Sequence, residues 1–266
     1  MGKINTNLLQ KQEEQKWCKS RFCVSEWVIL IFWSFDFAMI KVVIFDLWNT
    51  LIPTTIDWPL VFSLVKKNNP KNKVVDVGEF IKRYESATQI KKYSSFEAFR
   101  NDFIKSFDGD ALLLEQEFCE IFINRLDKIH FFEDALFALK KLKKDGYKLA
   151  LLTNTENIAF EKVDSIINVS KYFDYLGLSY EIKALKPDKK MYKSVTNYFK
   201  VKENECLMIG DSLRSDITGA VNVGMHAAWI NRPKKSYDFA KITPEFELNT
   251  LKDIDKVLGV LNGKKK

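Results

Sequence analysis

The sequence predicts an α/β protein: an open parallel sheet covered by helices, with a separate all-α segment inserted into it. Three observations carry that prediction. From Met39 onward, short β-branched and aromatic runs alternate with stretches of helical periodicity, the pattern of a sheet built from successive β–α units. Residues 57–129 contain no convincing strand, only apolar residues at three- and four-residue intervals, which is helical spacing. The chain has 266 residues, room for one large domain or two modest ones at about 150 residues per domain.

Residues 1–38 stand apart. The apolar run WVILIFW at 27–33, flanked by Glu26 and Asp36, is far short of the ~20 residues a membrane span needs. No A-x-A-like cleavage site follows it, so it is not read as a signal peptide. A chain opening at Met39 would begin MIKVVIFDLWNT, a hydrophobic strand running into a polar turn. Met39 is therefore taken as the natural start and residues 1–38 as an upstream extension, with a membrane-proximal anchor as the alternative.

From Met39 the elements follow in order. Val42–Phe45 reads as a buried parallel strand ending at Asp46. The segments GEFIKRYESATQIKK, SFEAFRNDFIKSF and ALLLEQEFCEIFINRLDKI are helical and belong to the insertion. Phe132, Leu136, Leu139 and Leu142 mark one face of a helix that stops at Asp145-Gly146, a C-cap signal. Next come a strand at Lys148–Leu152, a helix near Ile158–Ile167, and a helix with Met191, Val195, Tyr198 and Phe199 on one side. A strand at Cys206–Ile209 ends at Gly210-Asp211, a short helix spans Asp216–Asn222, a strand covers Ala227–Ile230, and a last element falls within Phe246–Leu258. The boundaries are thus residues 39–53 with 130–266 for the α/β part and 54–129 for the helical insertion.

Composition excludes several classes. The chain is 46% hydrophobic with 10 Gly and 6 Pro, so it is neither disordered nor a low-complexity linker. Four cysteines (Cys18, Cys23, Cys119, Cys206) are too few and scattered for a disulfide scaffold, and the C-x4-C pair has no partner cluster for zinc. A reducing cytoplasm is the simple reading. Of the net charge of +7, residues 1–38 hold +1 and the closing Lys264–Lys266 hold +3. The body is only mildly basic, with no basic stripe bearing interleaved aromatics, so a nucleic-acid partner is not expected. A small anionic substrate suits that balance.

The unusual polar residues fall at strand ends. Asp46, Thr153 and Asp211 each stand just after a predicted strand, where open α/β sheets place their ligand crevice. Lys186 sits in a polar turn before Pro187, which is expected to open the next helix. Any one of these is an ordinary turn residue; all four in this order are not. Two carboxylates, a hydroxyl and a lysine form the inventory for magnesium-assisted phosphoryl transfer, since hard cations take oxygen ligands.

These residues resemble the four motifs of the haloacid dehalogenase superfamily. Asp46-Leu47-Trp48-Asn49-Thr50 is similar to the first, D-x-x-x-T; Thr153-Asn154 resembles the second; Lys186-Pro187 the third; and Gly210-Asp211-Ser212 with Asp216 and Gly219-Ala220 the fourth. The resemblance spans residues 39–231 and implies a Rossmann-like doubly wound core with a helical cap that closes over small substrates. It implies that Asp46 is the nucleophile forming an aspartyl-phosphate, and that Thr153, Asn154 and Lys186 bind the phosphoryl group. It further implies that Mg²⁺ is held by Asp46, the Trp48 backbone carbonyl, Asp211 and Asp216. The oligomeric state and the specific substrate are not legible.

One position departs from the pattern. Family phosphatases usually carry a second Asp two residues after the nucleophile to protonate the leaving group, and here that position is Trp48. General acid–base help is typically worth ~10²–10⁴-fold, so alkyl phosphate esters should turn over poorly unless another group substitutes. Superfamily members with an aromatic residue there include the 2-haloacid dehalogenases, which need no metal; that is the alternative activity. The intact Gly210-Asp211-Ser212 and the lack of an Arg in residues 51–65 argue against it. A third alternative is a non-catalytic module that kept the scaffold and lost turnover. The Trp48 indole is also expected to pack against the cap and shape its pocket. Asp57 reads as a helix N-cap.

Overall fold

The computed structural model describes residues 39–54, 56–68, 76–106, 126, 129–234 and 243–263. The expectations for residues 1–38, for Cys119 and for most of the 111–129 helix lie outside these. All the described residues belong to the compact unit running from Ala38 to Lys266.

Six parallel strands form one sheet in the order β3-β2-β1-β4-β5-β6. They are β1 (Val42–Phe45), β2 (Lys148–Thr153), β3 (Tyr175–Leu178), β4 (Cys206–Gly210), β5 (His226–Ile230) and β6 (Phe246–Leu248). β1 lies between β2 and β4, with Val42 opposite both Lys148 and Cys206 and Phe45 opposite both Leu151 and Ile209. The strand order reverses at β1 and β4, so the crevice opens beyond their carboxyl ends.

Side chains alternate across the sheet, as the two-residue period requires. Val43, Phe45, Leu149, Leu151, Leu207 and Ile209 face one core cluster, while Val42, Ile44, Ala150, Leu152, Cys206 and Met208 face the other. The first face is covered by α4 (Glu133–Lys144), α5 (Asn157–Ile167) and α9 (Ile254–Leu261). The second is covered by α7 (Lys189–Phe199) and α8 (Gly219–Val223), with Met191, Tyr192 and Val195 pressed onto the strands. A one-turn α6 (Ser179–Ile182) follows β3.

The insertion contributes α1 (Trp58–Asn68), α2 (Val77–Thr88) and α3 (Phe96–Ser106). These helices bury their own aromatic cluster, with Phe80, Tyr84, Tyr93, Phe99 and Phe103 at its centre. Asp57 caps α1 by accepting the Leu60 N–H at 2.9 Å, and Asp76 caps α2 through Glu79 N–H at 2.8 Å. Among the described residues no helix is long and apolar enough to cross a membrane.

Several local expectations are corrected. The buried face of α4 is Ala135, Ala138, Leu139 and Leu142, with Leu136 only half-buried. In α7 the buried residues are Met191, Tyr192, Val195 and Thr196, and Tyr198 points to solvent. Pro187 does not open that helix: Asp188 caps it, accepting the Lys190 N–H at 2.8 Å. The segment assigned to a short helix at Asp216–Asn222 begins instead as a wide π-type turn at Leu213–Thr218 before α8. β3 and the three-residue β6 were not anticipated as separate strands.

Candidate active site

β1 ends at Phe45, and the Asp46 N–H still bonds the Ile209 carbonyl at 2.9 Å. Asp46 therefore leaves the sheet at a fixed point beside β4. The chain then turns tightly: Leu51 and Ile52 both donate to the Leu47 carbonyl, and Asn49 N–H donates to Ile52. Asn49 adopts a left-handed φ of 58°, which short polar side chains tolerate better than most. Its side chain donates from Nδ2 to Asp211 Oδ2 at 3.2 Å and accepts the Thr54 N–H on Oδ1 at 3.0 Å. Asn49 thus ties the turn after β1 to the end of β4. Its role was not anticipated; the left-handed turn it occupies is the signal that could have found it.

The end of β4 needs a glycine. A Cβ on Gly210 would overlap the carboxylate of Asp216. That carboxylate folds back so that Oδ2 accepts the Ser212 N–H at 3.0 Å. Asp211 is held by its own carbonyl, which accepts the Trp229 Nε1–H at 2.8 Å. β2 delivers Thr153, which is fully buried, and then Asn154. Asn154 Oδ1 accepts the Lys186 N–H at 2.8 Å, and Nδ2 donates to the Lys186 carbonyl at 3.2 Å. Asn154 thus grips the Lys186 backbone with both polar ends and keeps a second Nδ2–H for another partner.

Lys186 is buried, and its Nζ lies 2.6 Å from Asp46 Oδ1 and 2.6 Å from Asp216 Oδ1. Asp46, Asp211 and Asp216 each present a carboxylate oxygen, all within 4.8 Å of one another. One ammonium faces three carboxylates, and the imbalance is visible at Asp46 and Asp211. Burial, opposed by Lys186 and reinforced by Asp216, pushes Asp46 up to about 6. Burial and the charges of Asp46 and Asp216 push Asp211 up to about 7. Burial works against the Lys186 charge, but Asp216 and Asp46 outweigh it and hold the ammonium above its ordinary value. A divalent cation fits this donor set, because hard cations take carboxylate oxygens and would relieve the repulsion. Asp216 already has an ammonium on one oxygen and a backbone N–H on the other.

The structure brings Asp46, Lys186, Asp211 and Asp216 into one cluster and sets Thr153 and Asn154 on the adjacent strand end. Trp48 is placed differently from expectation. Among the described residues its indole packs against the cluster under the sheet that contains Phe45, Leu51 and Ile52, and not against the aromatic cluster of the insertion. Thr50 Oγ1 approaches Asp46 Oδ2 at a long 3.4 Å.

Two further residues support the site without a motif to announce them. Arg232 donates from Nη2 to the Thr50 carbonyl and from Nη1 to Asp134 Oδ2, both at 2.8 Å. Glu156, just after the second strand, accepts the Tyr84 hydroxyl and the Gln89 side chain at 3.2 Å, both from α2 or its C-terminus. Beside Asp211 and Asn49 opens a cavity of about 450 Å³, walled also by Phe132, Trp229 and Arg232.

Comparison with known proteins agrees with this architecture. Residues 40–224 match the family described as haloacid dehalogenase-like hydrolase. The chain is 28% identical over 246 residues to a glyceraldehyde 3-phosphate phosphatase of Pyrococcus abyssi, covering 86% of this chain and 98% of that protein. It is 28% identical over 118 residues to (S)-2-haloacid dehalogenase H-109 of Pseudomonas putida, covering 44% of this chain and 52% of the dehalogenase. Among solved structures, a phosphatase of Thermococcus onnurineus superposes with a TM-score of 0.57 at 27% identity, covering 83% of this chain and 98% of the other.

Proposed function

The chain belongs to the haloacid dehalogenase-like hydrolases, and we propose that it is a magnesium-dependent phosphohydrolase acting on a small phosphorylated metabolite in the cytoplasm. The observation that carries this reading is the cluster of Asp46, Asp211 and Asp216 around one lysine. Hydrolysis of a phosphate ester needs charge neutralisation at just such a point. The relatives named as phosphatases support it.

In this mechanism Asp46 attacks phosphorus, forming an aspartyl-phosphate that water then hydrolyses. Lys186 holds Asp46 in place and neutralises the equatorial oxygens of the transferring group. Thr153 donates its hydroxyl to a phosphoryl oxygen. Asn154 fixes the Lys186 backbone, so the ammonium arrives at a set position. Asp46, Asp211, Asp216 and the Trp48 carbonyl would hold Mg²⁺, which supplies positive charge against the phosphate. The helices α1–α3 act as a cap over the crevice.

A dehalogenase reading is favoured by one feature, the aromatic Trp48, and by the (S)-2-haloacid dehalogenase relatives. The experiment that separates the readings is a panel of phosphate esters, acyl phosphates and 2-haloacids, each assayed with magnesium and with a chelator. The phosphohydrolase reading expects phosphate release that chelator abolishes. Haloacid turnover that persists in chelator would overturn it, and binding of phosphorylated ligands with no turnover of any substrate would leave only a binding module.

A further inference from the structure

The phosphohydrolase reading leaves a proton without a donor. Trp48 occupies the position two residues after Asp46 and has no group that can protonate a leaving alkoxide. One side chain outside the strand ends meets that need. Glu85 lies on α2, directly after Tyr84, whose hydroxyl donates to Glu156, and four residues before Gln89, which bonds the same carboxylate at 3.2 Å. These two bonds fasten this part of α2 to the segment that follows Thr153 and Asn154.

Glu85 is half-buried, and among the described residues its carboxyl group makes no hydrogen bond or ion pair. The charges that act on it are Lys186, Arg214, Glu156 and Asp216. They come from the turn before α7, the wide turn after β4 and the start of α5, and Glu85 stands one helical turn before Gln89 on the same side of α2, the side that reaches Glu156 just past the second strand end. A half-buried carboxyl with no partner of its own is costly to keep unless something uses it.

Resting on the phosphohydrolase reading, we propose that Glu85 is the general acid and base of this enzyme, supplied by the helical insertion in place of the residue lost at Trp48. In the first step an Asp46 oxygen bonds to phosphorus and the bond from phosphorus to the leaving oxygen breaks. The leaving oxygen keeps the electron pair and takes the Glu85 proton, giving a free alcohol and a Glu85 carboxylate. In the second step that carboxylate takes a proton from water as the water oxygen bonds to phosphorus. The Asp46–phosphorus bond breaks, Asp46 regains its carboxylate, and inorganic phosphate leaves with Glu85 protonated again. Burial, the largest influence, together with Glu156 and Asp216 against Lys186 and Arg214, pushes the Glu85 carboxyl up to about 7. About half of the molecules therefore carry that proton in neutral solution, the poise of a group that serves first as acid and then as base.

The test uses the full chain with magnesium and a series of phosphate monoesters of rising leaving-group pKa, from acyl through aryl to alkyl. Wild-type turnover should vary little along the series, and its kcat/KM should fall on the alkaline side of about pH 7. Glu85→Gln should lose ~10²–10⁴-fold on alkyl esters, far less on acyl phosphates, and should lack the alkaline limb. Thermal melts of both proteins control for folding. A wild type whose rates already climb steeply toward acyl phosphates contradicts the proposal even if the variant does not fold. An equal loss on every ester in Glu85→Gln, or no loss, also overturns it and leaves the phosphohydrolase reading standing. A wild type that hydrolyses no phosphate, acyl phosphates included, fells both.

Discussion

The Lys186 ammonium bonds Asp46 at 2.6 Å across the gap between the turn before α7 and the end of β1. The same ammonium holds Asp216 at 2.6 Å on its other side. Both residues are buried, so each depends on the other for its charge. Removing one partner of a buried pair typically costs ~3–5 kcal/mol, because the survivor is left uncompensated. Lys186→Met should therefore abolish phosphate release and lower the melting temperature, with the larger drop at pH 8, where Asp46 and Asp211 are ionised, than at pH 5.5. Equal melting of the variant and wild type at pH 8 would contradict the pairing.

Asp211→Asn separates the metal role from the fold. Asp211 and Asp46 sit at about 7 and about 6, above the ordinary carboxylate value of about 4. The folded protein then binds protons more tightly than the unfolded chain between those values. In chelator, the contribution of these two groups to stability should rise as pH falls from 8 toward 4. Replacing the Asp211 charge should thus raise the melting temperature in chelator at pH 8, while erasing the upward shift that magnesium gives the wild type. In the wild type that magnesium shift should itself be larger at pH 8 than at pH 5.5. Differential scanning fluorimetry with magnesium or chelator reads all of these.

Asn154→Ala removes the two bonds that grip the Lys186 backbone. In this variant kcat should fall about 10–10²-fold with KM little changed, since the lysine acts on the transferring group more than on ground-state binding. A large rise in KM at unchanged kcat would return Asn154 to direct substrate contact.

Asp134 is a structural anchor reaching toward the same turn. Its Oδ2 accepts Arg232 Nη1 at 2.8 Å, Thr250 Oγ1 at 2.7 Å and Leu251 N–H at 2.9 Å. Arg232 in turn holds the Thr50 carbonyl. Asp134→Ala should cost about 3 kcal/mol by chemical denaturation, from stranded donors and a loosened cation. Burial alone would raise the Asp134 pKa, but Arg232, Thr250 and Leu251 outweigh it and hold it low. Its contribution is therefore present above the ordinary carboxylate value and fades as pH falls through the lowered one. A variant as stable as wild type at pH 7 would sink this assignment.

The sheet was legible because its central strands are short, apolar and buried on both faces, so β1, β2, β4 and β5 stand out between polar turns. β3 escaped because YLGL carries a glycine and is half-exposed at the sheet edge, which weakens any strand signal. The α7 face was misread because Tyr192 is drawn under Gly219, where a Cβ would strike its ring, while Tyr198 stacks on Tyr175 outside the core. Asp46, Thr153, Lys186 and Asp211 were legible because strand ends and ordered spacing mark them. Glu156, Asp134 and Arg232 were not, because each matters only through contacts far away in sequence, and periodicity carries no information about those.

The central claim is that Asp46 is phosphorylated during turnover. Incubating the protein with magnesium and acetyl phosphate, quenching in acid and mapping the digest by mass spectrometry tests it directly. A phosphoryl group should appear on the peptide containing Asp46 and be absent in Asp46→Asn. Phosphate release from the wild type with no phosphoryl group on that peptide at any quench time, and undiminished release from Asp46→Asn, would contradict it.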